Sequence, residues 1–208
     1  MLSYYQRAEL VADSYNKPAT IQVADDIRLV LTQYDDELVV AVPGTTDLAG
    51  WLDDFSTWPR SFDELGWYHE GFGSKGIALF RALEPHLPGP TYGKITTYVG
   101  HSLGAALARV LAVMHSRSFF GAYRLMTLGE PRGAALWNVQ SWDYLRTAKD
   151  NKRFVRAGDP IPYVPFRLQG FKHLSRAWGI GTPVPGVPEQ MADHNIALYV
   201  SNLKTFTG

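Results

Sequence analysis

The sequence predicts an α/β fold, with a mixed, mostly parallel central sheet and helices on both faces. Three observations predict it. Apolar runs of strand length alternate with runs of helical period along the 208 residues. One strand-like run, Ile95-Thr96-Thr97-Tyr98-Val99, leads through Gly100-His101-Ser102-Leu103-Gly104 into an alanine-rich helical run. The length suits a single domain with a sizeable core, so residues 1–208 are read as one unit.

The elements follow in order. Tyr4, Tyr5, Ala8, Val11, Ala12 and Tyr15 recur at helical spacing and predict a first helix ending near Tyr15. Ile27–Leu31 and Glu37–Val42 read as paired strands, with Asp35-Asp36 as the hairpin turn. Residues 44–66 read as loop, with a short amphipathic piece at Trp51–Phe55. Phe72–Leu83 is a helix, Ile95–Val99 a strand and Leu103–Met114 a helix. Tyr123–Leu128 is a further strand, closed by Gly129-Glu130-Pro131-Arg132-Gly133. Ala134–Ala148 is expected to be helical, Lys152–Ala157 a strand, and His194–Phe206 a closing amphipathic helix. The stretch from Pro160 to Pro188 is rich in proline, glycine and aromatics, and a long loop of this kind is usually functional.

Composition narrows the function classes. Lysine plus arginine and aspartate plus glutamate both number 20, so a nucleic-acid partner, which calls for a basic excess, is not expected. There is no cysteine, hence no disulfide framework and no cysteine metal site. No clustered metal ligands stand out, and neither a metal nor a cofactor is expected. No apolar run is long enough to span a bilayer. The N-terminus lacks the basic-then-apolar shape of a signal peptide, so the protein is expected inside a cell or leaving by a route the sequence does not display.

The chemistry concentrates at Gly100-His101-Ser102-Leu103-Gly104. A strand, a sharp serine-bearing turn and a helix make the nucleophile elbow of α/β-hydrolases. Glycine stands two residues either side because the turn has no room there for side chains. The turn presents the Ser102 hydroxyl, and the Leu103 N–H at the helix N-terminus faces negative charge developing on a substrate. A serine hydroxyl needs a base, and the base an orienting acid, in the chain order Ser, Asp or Glu, His. Two histidines follow the elbow before the C-terminus in that order, His173 and His194. His194, just before the final helix, is the better candidate, because a base there can hang over the strand ends. His69, His86 and His115 are in the wrong places, and His101 should point away from the hydroxyl. Asp159 is the best acid, at the end of a strand and before Pro160; Asp143, Asp150 and Asp193 are its rivals. Pro43-Gly44-Thr45-Thr46, after the strand ending at Val42, offers the second oxyanion donor through Thr45. Trp51, Phe55 and Trp58 in the first loop, and Phe166 in the long loop, are candidate substrate contacts. These aromatics read equally as a minor core under the loops.

These segments resemble the class 3 lipase family, the fungal triacylglycerol lipases and their bacterial and plant relatives. Val39–Thr46 with Trp51-Leu52-Asp53-Asp54-Phe55 is similar to the family's strand, oxyanion loop and following segment. His69-Glu70-Gly71-Phe72, the Val99–Ala108 elbow, Thr127-Leu128-Gly129-Glu130-Pro131-Arg132, Asp159-Pro160-Ile161-Pro162, and Asp193-His194 with Tyr199 follow in the family's order. The resemblance implies an α/β-hydrolase fold, a Ser102–Asp159–His194 triad, Thr45 and Leu103 as oxyanion donors, and a lid after Thr45, at about residues 46–66. It implies a serine hydrolase cleaving lipid acyl esters, with a lipid or ester substrate and a lipid–water interface as its surroundings. A phospholipase A1 or short-chain esterase on the same triad, and an inactive hydrolase-like binding protein, are the alternatives. Two departures stand out: Pro43 occupies the family's usual arginine position, and the chain is short, which suits a reduced lid and acyl groove.

Overall fold

The computed structural model describes residues 1–24, 26–45, 58–89, 93–118, 121–183 and 191–206. Helix α1 (Tyr4–Ser14) opens on a capping box: Ser3 Oγ accepts from Gln6 N, and the Gln6 side chain accepts from Ser3 N. Strands β1 (Ile21–Ala24), β2 (Ile27–Gln33) and β3 (Glu37–Val42) pair antiparallel. The chain then makes β4 (Pro59–Phe62), β5 (Gly66–His69), α2 (Glu70–Leu83), β6 (Ile95–His101) and α3 (Leu103–Arg117). It continues through β7 (Tyr123–Leu128), β8 (Ala134–Ala135), α4 (Gln140–Leu145), β9 (Asp150–Arg156), β10 (Phe171–Lys172), β11 (Ala177–Ile180) and α5 (Ile196–Lys204).

The main sheet has seven strands in the order β1-β2-β3-β6-β7-β9-β11, parallel from β3 to β11. Both faces are covered, as a parallel sheet requires. Leu38, Val40 and Val42 of β3 join the core beneath α2 and α3, and the alternate residues Val39 and Ala41 join the core beneath α1 and α5. The register sets the carboxyl ends of the parallel strands side by side: Val42 lies opposite Gly100, His101 opposite Leu128, and Leu128 opposite Phe154. Open α/β sheets bind ligands at that edge. Among the described residues no helix is long and apolar enough to cross a membrane.

Three sequence expectations need correction. Ala134–Ala148 is not one helix: Ala134 and Ala135 pair with β5 and β10, and only Gln140–Leu145 is helical. Asn138 explains the delay, because its side-chain amide donates to Leu65 O at 2.9 Å and Trp67 O at 2.7 Å and so bolts the segment to β5. Residues 58–66, read as loop and lid, contribute the β4–β5 hairpin to a second sheet of order β10-β8-β5-β4; residues 46–57 of that reading lie outside the described residues. The long loop contains β10 and β11, the latter pairing parallel with β9. These strands are short and mostly polar or small, so period-two alternation could not announce them.

Candidate active site

Ser102 joins β6 to α3 at φ 58° and ψ −129°, and no other described non-glycine residue has a positive φ. Such a backbone costs about 1–3 kcal/mol and persists only where its surroundings enforce it. They do so here. A Cβ on Gly100 would fall 2.2 Å from Gly104 O, and one on Gly104 would fall 2.2 Å from Val42 O, so strand and helix touch backbone to backbone. Ser102 N donates to Leu128 O at 3.0 Å, and Ser102 O accepts from Ala105 N at 2.9 Å. Leu103 N–H belongs to the first helical turn, whose N–H groups have no acceptor within the helix.

The candidate oxyanion loop lies against this elbow. A Cβ on Gly44 would sit 2.8 Å from Ser102 Cβ, which brings the Pro43-Gly44-Thr45 backbone to the serine. Gly44 N donates to Tyr15 Oη at 2.8 Å. Pro43 is buried, and the phenol of Tyr15, just after α1, supports the loop.

The candidate acid and base come from two further elements. Asp159 follows β9, and His194 ends a short turn, Met191–His194, before α5. His194 Nδ1 and Asp159 Oδ2 are 2.8 Å apart, both groups buried. The carboxylate accepts, so the proton lies on Nδ1 and Nε2 is left as a bare acceptor. Tyr199 Oη donates to the same Oδ2 at 2.5 Å and accepts from Arg156 N at 3.1 Å, while Ile161 N donates to Oδ1 at 2.9 Å. Burial, and then the Asp159 charge, push the Tyr199 phenol well above its ordinary range, so it stays a donor. Gly129, at φ 58°, closes the site below: a Cβ there would meet Asp159 Oδ2 and His194 Cε1 at 2.8 Å.

His101 links elbow and base. Its ring stacks on His194 at 4.6 Å between centroids. Its Nε2–H donates to His194 O at 3.0 Å, and Tyr15 Oη, 2.7 Å away, donates to its Nδ1. Burial, and then the proximity of His194, hold His101 well below the ordinary histidine range, so it is neutral. Ser102 Oγ and His194 Nε2 are both buried, and among the described residues neither makes a hydrogen bond. A buried hydroxyl and a buried ring nitrogen are thereby both uncommitted among the described residues.

The rival residues are occupied elsewhere. Asp193 pairs with Arg156, Asp150 accepts from Tyr4 Oη at 2.7 Å, and Asp143 is exposed. His173 Nε2 bonds Pro162 O at 2.8 Å. Trp58 is exposed just before β4. Phe166 lines a cavity of about 310 Å3 together with Gly158, Asp159, Pro160, Tyr163 and Val164. Trp51 and Phe55 lie outside the described residues. Of the remaining loop aromatics, Phe171 is buried beside His69, and Trp178 packs on Phe206. A larger groove of about 760 Å3 between α1 and α5 is lined by none of Ser102, Asp159 or His194.

Tyr15 and His101 escaped sequence reasoning as supporting groups. Tyr15 ended an apolar helical stripe and read as core, and His101 read only as part of the turn.

Buried neutral histidines also set a pH dependence. Burial drives His115 and His173 down to about 4 from the ordinary 6.5. The unfolded chain therefore binds more protons between those values, and stability is full above pH 6.5 and falls as pH drops toward 4. Thermal melts across this window should show a falling Tm, and His173→Gln should flatten part of the slope.

The model of the class 3 lipase family matches residues 39–169. Secreted mono- and diacylglycerol lipase A of Penicillium cyclopium is 25% identical over 178 residues, covering 82% of this chain and 53% of that protein. The chain thus spans about half the length of the curated relatives it matches. Among solved structures, a triacylglycerol lipase whose catalytic centre is formed by a serine protease triad superposes with a TM-score of 0.65 at 20% identity, covering 78% of this chain and 65% of that one. The Lip2 lipase of Yarrowia lipolytica gives 0.62 at 16% identity, covering 89% and 80%. The shared architecture is the α/β-hydrolase fold, and with the family match extending over more than half of its residues the chain belongs to the class 3 lipase family.

Proposed function

We propose that this chain is a serine carboxylester hydrolase that cleaves lipid acyl esters through Ser102, His194 and Asp159. The observation that carries the reading is the His194–Asp159 hydrogen bond of 2.8 Å, held beside a serine in a strained elbow. Ser102 Oγ attacks the acyl carbonyl as His194 Nε2 takes its proton. The carbonyl oxygen becomes an oxyanion held by the N–H groups of Leu103 and Thr45, and each such donor lowers the barrier by about 3 kcal/mol. The carbonyl re-forms, the C–O bond to the alcohol breaks, and His194 returns its proton to the departing oxygen. Water, deprotonated by His194, then attacks the acyl-serine and releases the fatty acid. Asp159 orients His194 and offsets the positive charge it carries at each transfer. A neutral His101 stacked on that ring adds no second charge. The cavity beside Asp159, walled by Pro160, Val164, Tyr163 and Phe166, supports an apolar substrate.

A fluorophosphonate probe tests the reading. It is expected to label the parent protein and to leave Ser102→Ala unlabelled; equal labelling of both, or none of the parent, would sink it. A chain-length series of nitrophenyl esters, with and without an emulsion, then sorts lipase from phospholipase and short-chain esterase.

A further inference from the structure

A second cavity, of about 410 Å3, lies beside the small sheet and is lined by Arg132, Leu136, Arg167, Phe171, Lys172 and His173. Its lining holds three cationic side chains and no carboxylate. None of Arg132, Arg167 and Lys172 forms an ion pair among the described residues. Other cations of this region are matched: Arg60 and Arg81 face Glu70 and Glu64, the carboxylates flanking β5. Arg132 is fixed in place, its Nη1 donating to Tyr163 O and, at 3.0 Å, to Pro165 O. Burial, and then the charge of Arg167, pull its guanidinium below the ordinary arginine range. Guanidinium and ammonium groups gathered in this way suit a phosphate.

The rim of this cavity is apolar where a free anion would need no apolar group. Leu168, at the tip of the Arg167–Gln169 turn, is fully exposed, and Phe166 is 62% exposed. Leu136 N donates to Gly170 O at 2.8 Å, and the Trp137 ring reaches within 3.8 Å of the Cβ position of Gly170, so β8 brings Leu136 and the 55% exposed Trp137 to the same turn. Trp67 of β5 lies against Trp137, ring centroids 6.0 Å apart. Contiguous exposed aromatics of this kind mark an interaction surface. Cations, exposed tryptophans and a projecting leucine on one surface are side chains suited to the layers of a lipid monolayer.

The surface is also continuous with the candidate active site. Tyr163 and Phe166 line the cavity at Asp159, and the next residue, Arg167, lines the basic cavity. One short segment, residues 163–167, contributes to both linings.

We propose that Arg132, Arg167 and Lys172, rimmed by Leu136, Trp137, Phe166 and Leu168, form a docking site for the headgroup phosphates of an anionic phospholipid surface. A phospholipid phosphate seated there places its ester and acyl portions toward the cavity beside Asp159. That orientation rests on the lipid-ester reading above; the binding itself does not.

Flotation with vesicles tests the proposal, using the Ser102→Ala protein so that lipid is not consumed. Vesicles of phosphatidylcholine containing phosphatidylglycerol are expected to bind at least about tenfold more tightly than phosphatidylcholine alone, with the difference fading at high salt. Each basic residue near such a surface contributes about fivefold, so reversing two, as Arg167→Glu with Lys172→Glu, should weaken binding by at least about twentyfold. Leu168→Asp should weaken binding to both vesicle types. In the Ser102 background that retains the hydroxyl, the charge-reversed protein should keep fluorophosphonate labelling and turnover of a soluble nitrophenyl ester, which shows that it folds. Equal binding to the two vesicle types, or parental binding by the charge-reversed protein, overturns the proposal. So does full competition by millimolar inorganic phosphate, which would make the cavity a small-anion site. Absence of labelling in the parent would overturn the hydrolase reading instead, leaving the vesicle result to stand by itself.

Discussion

Replacing His194 with alanine is expected to lower turnover of a soluble nitrophenyl ester by about a million-fold, equivalent to ~8 kcal/mol of barrier. Its Nε2 is buried and makes no hydrogen bond among the described residues, and its Nδ1 is the atom Asp159 holds. Without the ring, Ser102 has no base, and the residual rate comes from the oxyanion donors and substrate binding alone. His173→Ala is the matched control. That ring bonds Pro162 O, and losing such a hydrogen bond costs about 1 kcal/mol of stability and should leave turnover within about tenfold of the parent. Steady-state kinetics on both variants decide the assignment. A dead His173→Ala beside an active His194→Ala would overturn it.

The second large effect is expected in stability. Arg109 of α3 and Glu130, just after β7, are both buried and joined by two hydrogen bonds, one of them 2.5 Å from Arg109 Nη2 to Glu130 Oε2. Thr127 Oγ1 donates to the same carboxylate at 2.7 Å, and Arg109 Nη2 reaches Ser175 Oγ at 2.9 Å. Burial works to raise the Glu130 carboxyl, but the charge and hydrogen bonds of Arg109 outweigh it and hold the group below its usual range. Glu130→Ala strands a guanidinium in the interior, which typically costs about 3–5 kcal/mol and, for a chain of this size, lowers Tm by roughly 10 °C. Replacing both partners with apolar residues of similar volume should recover most of the loss, because the penalty lies in the unpaired charge. Calorimetry on the single and double variants measures this. Equal destabilisation of the two would assign the effect to lost packing.

Much of the site was legible because its signals are local. The elbow advertises itself through Gly100 and Gly104, two positions where backbone contact excludes a Cβ. Asp159 and His194 were recognisable from their places after a strand and before a helix. The supporting groups were not legible in this way. Tyr15 lies 86 residues from His101, and Tyr199 lies 40 from Asp159, so nothing in the local pattern ties them together. Tyr199 was named only through a family resemblance. Gly129 read as the end of a strand, and only the folded chain shows that it leaves room for the acid–base pair.

The sequence by itself determined the α/β class, the order of the main strands along the chain, and the residue types that carry the chemistry. Those follow from hydrophobic period and from backbone conformations that few residues can adopt. Only the tertiary structure decided which carboxylate meets which histidine, that Asp193 belongs to Arg156, and that His173 faces a basic cavity. It also decided that β4, β5, β8 and β10 make a second sheet carrying exposed tryptophans. Apart from the β4–β5 hairpin, those pairings join segments tens of residues apart. Their side-chain directions are set by packing against neighbours that no local pattern names.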